Sequence, residues 1–140
     1  MSLLAHKHFE QEIHIEPQKT EVSPVVIFLR MIALQCRASA RADLFKACAM
    51  LSHEPNISVQ AVGDALVKCL PQALRKRPVF YAVSEQSLSF DEAWLTRLVS
   101  AISAGDTASA EFLLKSRITP EARRNVQFLA SKISEHFALV

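Results

Sequence analysis

The chain has 140 residues, 50% apolar and 21% charged, which suits one domain and excludes a chain held open by its own charge. Two glycines, Gly63 and Gly105, are too few for a phosphate-cradling loop or a dinucleotide fingerprint, each of which needs several for close backbone approach. A formal charge of +2 gives no wholesale attraction to polyanions.

Residues 1–22 carry Glu10, Glu12, Glu16 and Glu21 against Lys7 and Lys19, with Phe9, Ile13 and Ile15 alternating with polar neighbours. They read as an extended arm with the option of a short edge strand. No apolar stretch ending in a small-residue cleavage site marks a signal peptide. Ser23-Pro24 is a helix start: the hydroxyl can accept from a free N–H, and proline at the first helical position sacrifices no bond. The following PVVIFLRMIAL is apolar on nearly every side except Arg30, which predicts a helix surrounded by other helices or by a partner subunit, and central to the fold. It falls well short of the roughly 20 residues of a membrane span.

From Gln35 to Ser52 the pattern is one-sided, through Ala40, Leu44, Ala47, Cys48 and Leu51. Residues 24–52 are therefore one long helix or two with a bend near Ser39. Ser58 caps a helix carrying Val59, Val62, Leu66, Cys69 and Leu70, and Pro71 ends or kinks it. Val79–Val83 is a short apolar run that is either a strand, with Ile13–Ile15 as its candidate partner, or buried extended chain. Ser89 caps the next helix, with Asp91 and Glu92 placed against the positive end of its dipole and Trp94, Leu95, Leu98, Val99 and Ile102 inward. Gly105-Asp106 makes a tight turn to a helix that buries Phe112 and Leu113. Thr119-Pro120-Glu121 opens a terminal helix with Ala122, Val126, Leu129, Ile133 and Phe137 on its inner face. The expected fold is all-α: a five- or six-helix orthogonal or bundle-like domain over residues 23–140, with the extended arm and at most one short strand pair.

Two segments carry resemblances. Residues 98–120, LVSAISAGDTASAEFLLKSRITP, resemble the helix pair of an ankyrin repeat, with small residues before a Gly-containing turn and paired leucines after it. No second copy occurs at a period near 33, so the expectation is an ordinary αα-hairpin. Residues 57–77, ISVQAVGDALVKCLPQALRKR, resemble the helix-turn-helix of MerR-type regulators, which implies Arg75, Lys76 and Arg77 against phosphate. Gly63 inside the first helix and Pro78 after the second depart from that pattern. Lys115, Arg117, Arg123, Arg124 and Lys132 form a second basic group, and Arg117 and Arg124 are candidates to join the first in one stripe.

Other chemistry is thinly represented. His6, His8 and His14 with Glu10 and Glu12 offer metal donors without a rigid frame, so no metal site or cofactor is expected. Cys36, Cys48 and Cys69, with His53, lack zinc-module spacing and read as reduced thiols of a cytoplasmic protein. His53 and His136 sit near helix ends, and no nucleophile elbow or His-Glu-x-x-His is present, so the expectation is not an enzyme and no small-molecule substrate is assigned. The sequence points to a non-enzymatic interaction or regulatory module that docks a protein partner or a second copy through helix 24–34 or the terminal helix. Phe28, Met31, Arg124 and Phe137 are its candidate contacts. A DNA-binding regulator using Arg75, Lys76 and Arg77 is the alternative, and a membrane is not an expected partner.

Overall fold

The computed structural model describes residues 22–36, 43–53 and 56–137. Each helix in it begins where a short polar side chain meets an apolar run. Helix α1, Pro24–Gln35, starts with Ser23 Oγ accepting from Val26 N. Helix α2, Leu44–Ser52, is capped by Asp43, and α3, Val59–Leu74, by Ser58. Helix α4, Phe90–Ser103, has a complete capping box, in which Ser89 Oγ accepts from Glu92 N and the Glu92 carboxylate accepts from Ser89 N. Gly105 takes the left-handed φ of 74°, and Asp106 caps α5, Thr107–Arg117, closing the predicted αα-hairpin. A 3-10 turn, Pro120–Ala122, leads into α6, Arg123–Phe137. The all-α expectation is met. Residues 24–52 supply two helices, and Ser39 lies outside the described residues. Among the described residues there is no strand; Val79–Val83 is part of the connection between α3 and α4, and Ile13–Ile15 lie outside.

Helices α3 and α6 face each other at the centre, α4 packs on α6, α5 on α4, and α1 and α2 on α3. Val62, Leu66, Cys69, Leu70 and Ala73 of α3 meet Leu95 and Leu98 of α4 and Val126, Leu129, Ala130 and Ile133 of α6 in one buried cluster. Each fully buried aliphatic side chain contributes about 1.5–3 kcal/mol of transfer free energy.

Three expectations are corrected. Helix α1 is not central: it leans on α3 with Val26, Leu29 and Ile32 inward and leaves Ile27, Met31 and Leu34 exposed. No turn divides residues 57–77, because α3 runs on through Pro71 and the helix-turn-helix is not formed. Proline removes the N–H that would pair with the Val67 carbonyl, but Leu66, Cys69, Leu70 and Ala73 bury one face on both sides of it and hold the helix together. In α5 Ala110 and Leu114 are buried and Leu113 packs partly buried against the core as expected, but Phe112 is 71% exposed, because it falls on the opposite side of the helix from Ala110 and Leu114.

The connection from α3 to α4 has no secondary structure of its own and is held by a buried ion pair. Arg30 on α1 is 2% exposed and Glu92 on α4 is 1% exposed. Arg30 Nε donates to Glu92 Oε2 at 2.8 Å and Nη2 to Glu92 Oε1 at 2.9 Å. The remaining guanidinium protons go to the carbonyls of Val83, Glu85 and Ser87. Glu92 also accepts from Tyr81 N at 2.8 Å and Ser89 N at 3.0 Å. The planar donor fork of arginine and the acceptor sites of the carboxylate are both filled, which is the condition under which a charge pair is tolerated away from water. Burial by itself would raise the Glu92 carboxyl, but the Arg30 hydrogen bond and the Ser89 and Tyr81 N–H groups outweigh it and hold the group below the usual carboxylate range.

Glu92→Ala, which strands the Arg30 charge, is expected to lower stability by about 3–5 kcal/mol in urea denaturation. Arg30→Met with Glu92→Leu is expected to cost less than the sum of the two single changes, because neither charge is left alone. The depressed Glu92 value also sets a sign with pH. Its contribution is present above the unfolded carboxyl value of about 4.3 and is lost as pH falls through the lower folded value. The wild-type melting temperature therefore drops steeply in acid, and Glu92→Gln flattens that part of the curve.

Candidate functional site

The same connection that Arg30 and Glu92 secure forms one wall of a cleft of about 640 Å³ against α1 and α3. Its apolar surface comes from Ala33 and Leu34 of α1, Val67 and Pro71 of α3, and Pro78, Phe80 and Val83 of the connection. Because Pro71 has no N–H, it cannot donate to the Val67 carbonyl one turn back. Lys68 and Arg77 supply positive charge, and no carboxylate is among the lining residues. Lys68 is held 3.0 Å from Asp64, while Arg77 has no ion-pair partner among the described residues. The size falls in the range of ligand and peptide sites.

Apart from Asp64, which pairs with Lys68 at its edge, the acids near this region are committed elsewhere. Beside Glu92, Asp91 is buried, accepts from Val79 N at 2.7 Å and lies 2.6 Å from Arg117 Nη2 on α5. That second contact is a charge pair without hydrogen-bond alignment. The Arg117 guanidinium is 4.9 Å from the ring centre of Phe90 and 5.2 Å from that of Trp94, so ring faces replace the acceptor that its buried Nη1 lacks. Arg117 is therefore turned inward and does not join Arg75, Lys76 and Arg77 in a basic stripe.

Cys36 also lines the cleft, and its thiol donates to Asp64 Oδ1 at 3.0 Å. Burial first, then this bond, push its pKa up to about 11, and burial lifts Cys48 to about 11 and Cys69 to about 12. All three are free thiols held in their protonated, weakly nucleophilic form.

Leu34 links the cleft to an open face of α1. Ile27, Met31 and Leu34, at helical spacing, are 38%, 49% and 53% exposed, and the one charged residue of α1 is the buried Arg30. Tyr81 and Val83, also exposed, border the same region across the cleft.

Of the residues singled out by sequence, Met31 is on this open face. Phe28 and Phe137 are half-buried and meet in a tilted ring contact, ring centres 5.5 Å apart, closing α1 onto the end of α6. Phe28 also lies over Gly63, where a Cβ would approach its ring to 2.5 Å; glycine is what lets the two helices come this close. Arg124 is exposed and lines neither this cleft nor the smaller one formed by Phe45, Gln72, Arg75, Thr119, Glu121 and Ala122. Arg75, Lys76 and Arg77 are exposed where α3 ends, with Arg75 in the left-handed conformation and 4.0 Å from Glu121. His6, His8 and His14 lie outside the described residues, among which no group of three or more His, Cys, Asp or Glu is placed to hold a metal ion. Sequence reasoning missed the exposed place of Tyr81 at the cleft, within a run read as a strand or buried extended chain, and the inward roles of Arg30, Asp91, Glu92 and Arg117. The one available signal was an arginine inside an otherwise apolar helix.

Alkylation of Cys36 by iodoacetamide at pH 8 is expected to run at least about ten-fold slower than that of a free cysteine. Asp64→Asn removes a negative charge that opposes ionisation and weakens the hydrogen bond to the thiol, and mass spectrometry should show that rate rise. Comparison with known proteins yields no match: no family model, no curated protein and no solved structure corresponds to this chain, and no helix among the described residues is long and apolar enough to cross a membrane.

Proposed function

We propose that this chain is a non-enzymatic, α-helical interaction module of the cytoplasm that associates with a second copy of itself through the open face of α1. The observation that carries the reading is the row Ile27, Met31 and Leu34, exposed on a helix that presents no charge to solvent. A face of that kind meets a like face across a two-fold axis without desolvating any ion, whereas a partner chosen by charge would find no rim on α1 to orient it. Tyr81 and Val83 extend the apolar area, and aromatic residues with methionine are the side chains most enriched at such contacts. The neighbouring cleft supports a binding role, since its lining carries cations, the Tyr81 phenol and a thiol held protonated at neutral pH, with no carboxylate or histidine among them. Three free cysteines suit a reducing compartment.

Light scattering across a concentration series is expected to show mass rising from monomer to dimer. Met31→Glu, at an exposed position, should abolish the rise while leaving helical content by circular dichroism unchanged. A wild-type chain that stays monomeric at all concentrations removes the reading. Titration with duplex DNA at two salt concentrations separates it from a DNA-binding regulator: the module shows no affinity that weakens steeply with salt.

A further inference from the structure

We propose that the 640 Å³ cleft is the docking site for the N-terminal arm of the same chain, with Phe9–Glu16 added as an extended segment along Pro78–Ala82. The inference starts from the wall of the cleft. Val79 N and Tyr81 N both turn inward, to Asp91 Oδ2 and Glu92 Oε2, and Val79 O accepts from Ser89 Oγ. That alternation is the period-two pattern of extended chain, so the backbone groups between them face the other way. The N–H and C=O of Phe80 and the N–H of Ala82 have no hydrogen-bond partner among the described residues. A rigid edge with open donors and acceptors beside an apolar floor is what strand addition by a peptide uses.

The arm has the matching chemistry. In an extended segment Phe9, Ile13 and Ile15 fall on one face, and Glu10, Glu12 and Glu16 on the other with His14. The apolar face suits Ala33, Leu34, Val67 and Pro71, and the acidic face suits Arg77, which has no ion-pair partner among the described residues, whereas Lys68 is already held by Asp64. Pro17 cannot donate to a ladder and marks where pairing stops.

The chain is long enough. From Pro24 to Leu34, α1 rises about 15 Å at about 1.5 Å per residue. The stretch from Ile15 to Ser23 spans up to roughly 26 Å when extended, so an arm doubling back along α1 reaches the cleft. Residues 1–21 lie outside the described residues, and their seat is the content of the proposal. The cleft shares Leu34, Tyr81 and Val83 with the proposed self-association face, so the seat of the arm is to be read in a chain that does not associate as well as in the wild type.

The test uses the full chain with a benzophenone amino acid in place of Ile13. On irradiation a product of monomer mass is expected, with the cross-link mapped to residues 33–36, 67–71 or 77–84. Arg77→Glu should lower its yield by about 2- to 5-fold, the scale of a surface ion pair, and Glu12→Lys in the same chain should restore it. The same product is expected in Met31→Glu, which separates this outcome from the fate of the dimer. As a second measurement, Ile13→Asp with Ile15→Asp should speed amide exchange at Phe80 and Ala82 without changing helical content. Cross-links mapped elsewhere, a cross-link found only between chains, or exchange at Phe80 and Ala82 indifferent to the arm would each overturn the proposal.

Discussion

One charge pair holds three parts of this molecule in register. Arg30 comes from α1, Glu92 from α4, and the groups that complete their hydrogen bonding, the carbonyls of Val83, Glu85 and Ser87 and the N–H groups of Tyr81 and Ser89, come from the connection before α4. A long segment without helix or strand ordinarily leaves its backbone to water. Here two side chains take the place of a ladder. The arrangement is all or nothing, because the desolvation cost of either charge is offset only while the other charge and the backbone partners are present. The position of the cleft wall is consequently set by electrostatics as much as by packing.

The first turn of α4 gathers this control. Ser89 caps the helix and also bonds the Val79 carbonyl, Asp91 reaches Arg117 and Val79, and Glu92 reaches Arg30 and Tyr81. Neighbouring carboxylates near a helix N-terminus are favoured by its dipole, and that gain is added to two ion pairs pointing to different helices. With these acids consumed by structure, the surface left at the cleft carries Lys68 and Arg77 and no lining carboxylate. The fold thus leaves an apolar groove in which Arg30 and Lys68 are paired and Arg77 has no ion-pair partner among the described residues, the feature on which a seat for an acidic arm depends.

Helix α1 has two sides with separate consequences. Its inner side packs against α3, helped by the close approach of Phe28 to Gly63 and by the ring contact with Phe137. Its outer side leaves an uncharged apolar row exposed, which is costly in water unless covered and so favours association. Leu34 belongs both to this row and to the cleft, placing the two surfaces edge to edge. Occupancy of one then has a structural route to influence the other through Leu34 and through Tyr81 and Val83, which border both.

Much of the architecture was legible because its signals are local. Ser23, Ser58, Ser89 and Asp106 cap helices within three residues of themselves, and the inward faces of α4 and α6 follow from spacing along one element. The extent of α3 was less legible, since a proline that ends most helices is carried here by burial on both sides of it. What lay beyond reading were contacts between distant positions. Arg30 and Glu92 are 62 residues apart in the chain, and an arginine in an apolar helix looks the same whether it faces solvent or a buried carboxylate. Likewise a helix apolar on every side does not declare which side its neighbours will cover. Caps and periodicity depend on backbone geometry within one or two turns, which the order of residues determines. Which charges pair and which apolar face stays open depend on how the helices come together, and only the tertiary structure decides that.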